Sequence, residues 1–315
     1  MSGMQGILII DKPPGFTSHD VVARVRHILH ERRIGHTGTL DPFATGVLVL
    51  LIGRVTRLAQ FFSDADKEYE AIIRLGFATD TSDRTGSRLP DAVGQIHNVG
   101  LWSEQEIENA LASLRGYIDQ VPPMFSAKKR GGRKLYELAR RGEEVEREPV
   151  RVCIHEIQPI KPGGKLVKDN LDGTFDLQVR VVCSAGTYVR TLAEDFGKRL
   201  GIAAHLAELR RTRVGEFHIS NAVSLNELST GMEEEALGTL LVPPNAALPH
   251  MPLVHLTADD ERRARYGLEV RITQSSWPDG AKVKMCDMQD QLIAVGEFDA
   301  HSGSLHPRVV IAAAS

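Results

Sequence analysis

Gly35-His36-Thr37-Gly38-Thr39-Leu40-Asp41-Pro42-Phe43-Ala44-Thr45-Gly46 runs directly into Val47-Leu48-Val49-Leu50-Leu51-Ile52. The second stretch is continuously apolar and far too short to cross a bilayer, so it reads as a buried strand. The first is dense in glycine and small polar residues and reads as a loop. Pro42 fixes its own φ and biases Asp41 toward an extended conformation. Glycines at 35, 38 and 46 permit close backbone approach to a ligand. A carboxylate is thus presented from a constrained loop at the edge of a sheet. An Asp-Pro turn without function would look the same locally, so the rest of the chain has to decide.

Upstream, residues 6–11 read as a strand ending at Pro13-Pro14-Gly15. Thr17 and Asp20 have the spacing of a capping box, and Val21, Val25, Ile28 and Leu29 follow at helical spacing, which predicts a helix ending near Arg33. Downstream, Tyr69, Ala71, Ile73, Leu75 and Phe77 alternate as one face of a strand. Ser103 and Glu106 cap a helix whose buried stripe is Ile107, Leu111 and Leu114. Val121-Pro122-Pro123 interrupts regular structure, and the basic segment after it reads as a mobile loop leading into a short helix at 135–141. Strands are expected at 150–157 and 175–183, with an exposed hairpin-like excursion at 161–173 between them. Gly186-Thr187 opens a helix that closes at Gly201. This order predicts an α+β fold with a mixed, largely antiparallel sheet and flanking helices. Prolines 243, 244 and 252 mark a boundary, giving a domain at 1–249 and a small β-rich module at 250–315, with a helix at 257–266 and strands at 282–286, 292–298 and 308–311.

The N-terminus lacks the pattern of a secretory signal, which predicts a cytoplasmic protein. Cys153, Cys183 and Cys286 are far apart and form no CxxC pair, so a zinc knuckle or redox motif is not expected. The net charge is −3, from 38 basic and 41 acidic residues. The sum argues weakly against a nucleic-acid partner, but phosphates respond to local charge. Basic residues cluster at Lys128, Lys129, Arg130, Arg133 and Lys134, with Arg140 and Arg141 beyond; at Arg24, Arg26, Arg32 and Arg33; and at Arg210, Arg211 and Arg213. One such run alone is as readily a solvated helix face; three in an acidic chain suggest a charged surface with a purpose.

The whole segment GHTGTLDPFATG resembles the signature of the TruB family of pseudouridine synthases, bacterial branch. Other stretches resemble further family motifs in the same order: GILIIDKPPGFTSHDVV, KEYEA, TDTSDRTG, PPMFSAKKRGGRKLYELAR, CSAGTYVRTLAEDFGKRLG and AHLAELRRTRVGEF. The C-terminal module resembles a PUA-type RNA-binding domain more loosely. Phe43 and Arg57 stand where relatives often carry leucine and lysine, which touches specificity rather than the reaction.

The resemblance implies isomerisation of a T-loop uridine of tRNA, position 55, to pseudouridine, by a stand-alone monomer without cofactor, metal or guide RNA. It implies Asp41 as the catalytic carboxylate and Arg190 as its guanidinium partner. A cation in the first turn of a helix opposes the helix dipole, and a carboxylate partner would offset that; the local alternative is a pair with Glu194. Tyr69 is implied to stack on the target base and is a candidate to take the C5 proton. Tyr188 and Leu209 are implied to line the uracil pocket, His36 to prop the gap left by a flipped base, and Lys12 and Pro13 to support the pocket. Phosphate contacts are expected from residues 128–134 and from Arg210, Arg211 and Arg213. The rival readings are an RNA binder with an inactive catalytic domain, a guide-dependent synthase, and a glycosidic hydrolase. The hydrolase would need a second carboxylate, for which Asp83 is available.

Overall fold

The computed structural model describes residues 4–90, 102–125, 129–130, 133–134, 145–230, 238–272 and 276–312. Lys128 and the helix expected at 135–141 lie outside the described residues. Of Lys129, Arg130, Arg133 and Lys134 only the main chain is described, as a two-stranded ribbon in which Lys129 faces Lys134 and Arg130 faces Arg133.

The labelled strands of the first sheet are β1 (Gly6–Lys12), β2 (Ile34–His36), β3 (Thr45–Ile52), β4 (Lys67–Leu75), β5 (Gly116–Gln120), β6 (Val150–Pro159), β7 (Phe175–Cys183) and β8 (Ala204–Val214). Among the helices that pack on this sheet are α1 (Ser18–Leu29), α2 (Glu104–Ala112) and α3 (Val189–Leu200). Across it the order is Val223–Ser224, β1, β3, β8, β4, β7, β6, β5, with β2 added to β3; the sheet holds 11 strands among the described residues. Most neighbours are antiparallel. The junction of β3 with β8 is parallel and only two residues long, Arg210 facing Thr45 and Arg211 facing Gly46. The architecture is the expected α+β arrangement with a mixed sheet.

Residues 7–10 of β1 and 47–52 of β3 are uninterruptedly apolar because both faces of the pair are covered. On one face Leu8, Ile10, Leu48 and Leu50 meet Val21 and Val25 of α1. On the other, Ile7, Ile9, Val49 and Leu51 share a core with Leu292, Val295, Val309 and Ile311 of the C-terminal module. Each such aliphatic side chain contributes about 1.5–3 kcal/mol on burial, so the central pair is rigid. β4 has one buried face, and Ile73, Leu75, Leu192, Phe196 and Leu206 join it to α3 and β8.

The capping box of α1 forms as the spacing predicts, but the helix stops at Leu29 rather than near Arg33, because His30 turns into the left-handed region at φ 51°. That lets residues 34–36 pair with β3 as a short strand inside what reads as loop. β8 is the long element that the sequence reading leaves unassigned. The C-terminal module is a five-stranded sheet ordered β9 (Leu253–His255), β10 (Lys282–Cys286), β11 (Leu292–Asp299), β12 (Ser304–Val310) and Val270–Arg271. Its one described helix is α4 (Ala258–Arg265), capped by Thr257. Among the described residues no helix is long and apolar enough to cross a membrane.

Candidate active site

The loop around Asp41 is tied down residue by residue. Leu40 donates its N–H to the buried Ser18 hydroxyl at 2.9 Å, and that hydroxyl donates to the Leu40 carbonyl at 3.2 Å. Lys12 is wholly buried, and its ammonium donates to the carbonyls of Pro13 (3.0 Å), Phe16 (2.6 Å) and Pro42 (3.2 Å). Burial lowers the Lys12 pKa to about 8, against the partly offsetting pull of Asp41. From the sheet side, the Arg211 guanidinium donates to the carbonyls of Val47 (2.7 Å), Gly38 (3.1 Å) and Thr39 (3.4 Å). Gly46 permits this: its φ is +101°, and a Cβ there would stand 2.2 Å from the Arg211 carbonyl oxygen.

Arg190, in the first turn of α3, meets Asp41 with two nitrogens. Nε lies 2.9 Å from Oδ2, and Nη2 donates to Oδ1 at 3.3 Å. The same guanidinium donates to the carbonyls of Thr81 (3.1 Å) and Phe125 (2.7 Å), and Nη1 stands 3.7 Å from Asp83 Oδ2. Glu194 does not take Arg190; it accepts from the Ser82 hydroxyl. Asp83 is held by Thr81 and by both the N–H and hydroxyl of Thr85. Desolvation raises the Asp41 pKa, Arg190 opposes that rise, and Asp83 adds to it. The two-point contact with a guanidinium selects the ionised carboxylate.

Beside this pair lies a cleft of about 250 Å³, lined by Thr39, Leu40, Asp41, Tyr69, residues 186–190 and Leu209. Five of the residues singled out in the sequence therefore converge: Asp41, Tyr69, Tyr188, Arg190 and Leu209. Tyr69 is buried on β4 opposite Arg211 of β8. Burial raises the pKa of its phenol, with the Arg211 charge pulling the other way. Tyr188 is fixed through its main chain: the buried Gln120 amide accepts from its N–H at 3.0 Å and donates to its carbonyl at 3.3 Å. Gln120 carries no signal in the sequence. His36 does not line the cleft. It closes β2, with its ring edge-on to His19 at 5.5 Å between centroids, and its Nδ1 is buried without a hydrogen-bond partner. Burial lowers its pKa to about 4, so it is neutral at physiological pH.

The basic run at 210–213 needs correction. Arg211 is 2% exposed and donates to the loop carrying Asp41 and to the start of β3, so it is buried as a brace rather than presented to a phosphate. Arg210 is half-exposed but clasps both oxygens of Asp11 at 3.1 and 2.7 Å. Arg213 faces Glu68 at 3.3 Å. Asp83, the second carboxylate a hydrolase would need, sits behind Arg190. Among the described residues Asp41 is the only carboxylate lining the cleft.

Comparison with known proteins identifies the family. Residues 26–189 match the TruB family pseudouridylate synthase N-terminal domain, and residues 190–249 match the tRNA pseudouridylate synthase B C-terminal domain. A tRNA pseudouridine synthase B of Aromatoleum aromaticum is 41% identical over 308 residues, covering 98% of this chain and 93% of that one. One of Geobacter sulfurreducens is 46% identical over 271 residues, covering 84% and 82%. Among solved structures, an H/ACA RNP bound to a substrate RNA containing 2'-deoxyuridine aligns at TM-score 0.70 with 25% identity, over 98% of this chain and 86% of that one. A Cbf5-Nop10-Gar1 complex aligns at TM-score 0.70 with 27% identity, over 98% and 85%. The chain belongs to the TruB family of pseudouridylate synthases and is an isomerase.

Proposed function

We propose that this chain converts a uridine of tRNA to pseudouridine in the T-loop, at position 55, acting alone in the cytoplasm as a monomer and without a guide RNA. The observation that carries the reading is the Asp41–Arg190 pair, with contacts of 2.9 and 3.3 Å, at the wall of a cleft that also holds Tyr69 and Leu209. The curated relatives named as tRNA enzymes are also closer in sequence than the solved ribonucleoprotein structures.

The reaction breaks the N1–C1′ bond of uridine, turns the uracil and joins its C5 to C1′; the C5 proton leaves and N1 takes one up. No atom of the base is lost apart from that exchanged proton, so one positioned carboxylate is enough to assist bond breaking and rejoining. Arg190 keeps Asp41 ionised in a site whose low polarity favours the neutral acid. Leu209 and the Tyr69 ring give the detached uracil an apolar slot. The Tyr69 phenol, kept neutral by burial, is also the candidate to relay the C5 proton, handing on its own hydroxyl proton as it accepts one.

A stacked base cannot reach this cleft, so the target must be flipped out at a cost of a few kcal/mol. His36, neutral and on the same segment five residues before Asp41, is the residue assigned to fill the gap. The ribbon at 129–134 and the PUA-like module supply the remaining RNA contacts. The test is modification mapping: an unmodified tRNA transcript is incubated with the protein, treated with carbodiimide and read by primer extension. One stop at position 55 is expected. Stops elsewhere refute the site assignment, and binding without any stop favours the inactive RNA binder.

A further inference from the structure

The second basic cluster of the sequence lies away from the catalytic cleft. Arg32 and Arg33 line a separate cleft of about 370 Å³ together with Arg54, Glu31 and the backbone of Met4, Gln5 and Gly53. It is a shaped feature. Gly53 takes φ +67°, and a Cβ there would stand 2.5 Å from the Met4 carbonyl oxygen, so the floor closes only on glycine. The Gly53 N–H donates to the Arg33 carbonyl at 2.7 Å, locking one wall to the end of β3.

Arg74, Arg180, Arg190, Arg210 and Arg213 each face a carboxylate. The side chains of Arg32 and Arg33 are exposed and meet no carboxylate or hydrogen-bond partner among the described residues. Glu31 does not neutralise them: its Oε1 accepts from the Arg33 main-chain N–H at 2.7 Å. Arg54 spends one nitrogen on the Ala312 carbonyl at 2.7 Å, which ties the cleft to the C-terminal module. Three guanidinium groups and one carboxylate leave an excess of two positive charges in one concavity of a protein with net charge −3. Guanidinium forks match phosphate oxygens, and unpaired ones are held ready for an anion.

We propose that this cleft is a second anchor for substrate RNA, binding backbone phosphate through Arg32, Arg33 and Arg54. The inference rests on the reading of tRNA as substrate. β3 runs from Thr45, beside the catalytic loop, to Ile52, beside this cleft. Its eight residues span about 23 Å at the rise of a strand. The anchor therefore holds phosphates well away from the flipped uridine and contributes affinity rather than chemistry.

The test is the double variant Arg32→Ala/Arg33→Ala, two exposed positions, compared with wild type in binding of full-length unmodified tRNA transcript across a salt series. The expected result is a roughly tenfold rise in Kd and a fall of about 2 in the slope of log Kd against log salt. The single-turnover rate at saturating enzyme should be unchanged. Wild-type binding that the double variant reproduces in both Kd and slope overturns the anchor while leaving the tRNA reading intact. A wild type that neither binds nor modifies tRNA overturns both. Titration of wild type with inorganic phosphate separates the sources: tight phosphate binding lost in the double variant, with tRNA affinity unaltered, would make this a small-anion site and refute the RNA assignment.

Discussion

Replacing Arg211 by lysine separates a structural brace from a phosphate contact. The arginine reaches three carbonyls, two of them at good distance, Val47 at 2.7 Å and Gly38 at 3.1 Å. A hydrogen bond from a charged donor is worth about 1.5–3 kcal/mol. Lysine keeps the charge but can satisfy only one of the two well-made contacts from a compact ammonium. The expected loss of stability is therefore about 1.5–3 kcal/mol, within the roughly 5–15 kcal/mol typical of a folded domain, so the variant remains folded. The contacts to Gly38 and Thr39 are the ones expected to go, because the ammonium settles on the nearer Val47 carbonyl. Freed from Arg211, the loop carrying Asp41 shifts, and a displacement of about 1 Å at a reacting group costs about a hundredfold in rate. Single-turnover kinetics on a tRNA transcript at saturating enzyme should show that drop, with Kd and its salt dependence as in wild type. A variant with the wild-type rate at saturation but weaker and less salt-sensitive binding would show that Arg211 reaches phosphate, and the bracing argument would fail.

Two further predictions concern the same loop. Lys12 titrates near 8 when folded, against 10.5 for the free side chain. Between those values the unfolded chain binds more protons than the folded one, so stability climbs as pH rises through that window, by up to about 3 kcal/mol. Urea unfolding from pH 7.5 to 10.5 should show this rise in wild type relative to Lys12→Met; parallel curves would contradict it. Gly46→Ala places a methyl against the Arg211 carbonyl at a positive φ. It should cost at least about 2 kcal/mol from backbone strain alone, and an unchanged thermal midpoint would show that the β3–β8 junction is loose.

The catalytic loop and the strand after it could be read directly, because glycine, proline and an uninterrupted apolar run each constrain the backbone locally. The partner of Asp41 could not be read from spacing: 149 positions separate it from Arg190, and only the family resemblance joined them. Arg211 was misplaced because Leu209-Arg210-Arg211 looks like a surface basic run until the segment is known to be a strand. In a strand, Leu209 and Arg211 share a face; the residue expected to line the pocket therefore pointed to the one bracing it. His30 ends α1 early through a left-handed turn that a non-glycine residue rarely signals. Gln120 could not be found at all, since a buried amide clasping a main chain 68 positions away leaves no local pattern.

In the proposed reaction Asp41 performs the isomerisation. Its most direct test is tritium release from tRNA carrying 5-tritiated uridine, measured for wild type and for Asp41→Asn alongside tRNA binding. Asparagine keeps the size of the side chain and one acceptor for Arg190 but is neither a nucleophile nor a base. Wild type should release one T-loop tritium stoichiometrically and the variant none above background, with tRNA affinity retained. Release by Asp41→Asn at a rate near wild type would contradict it.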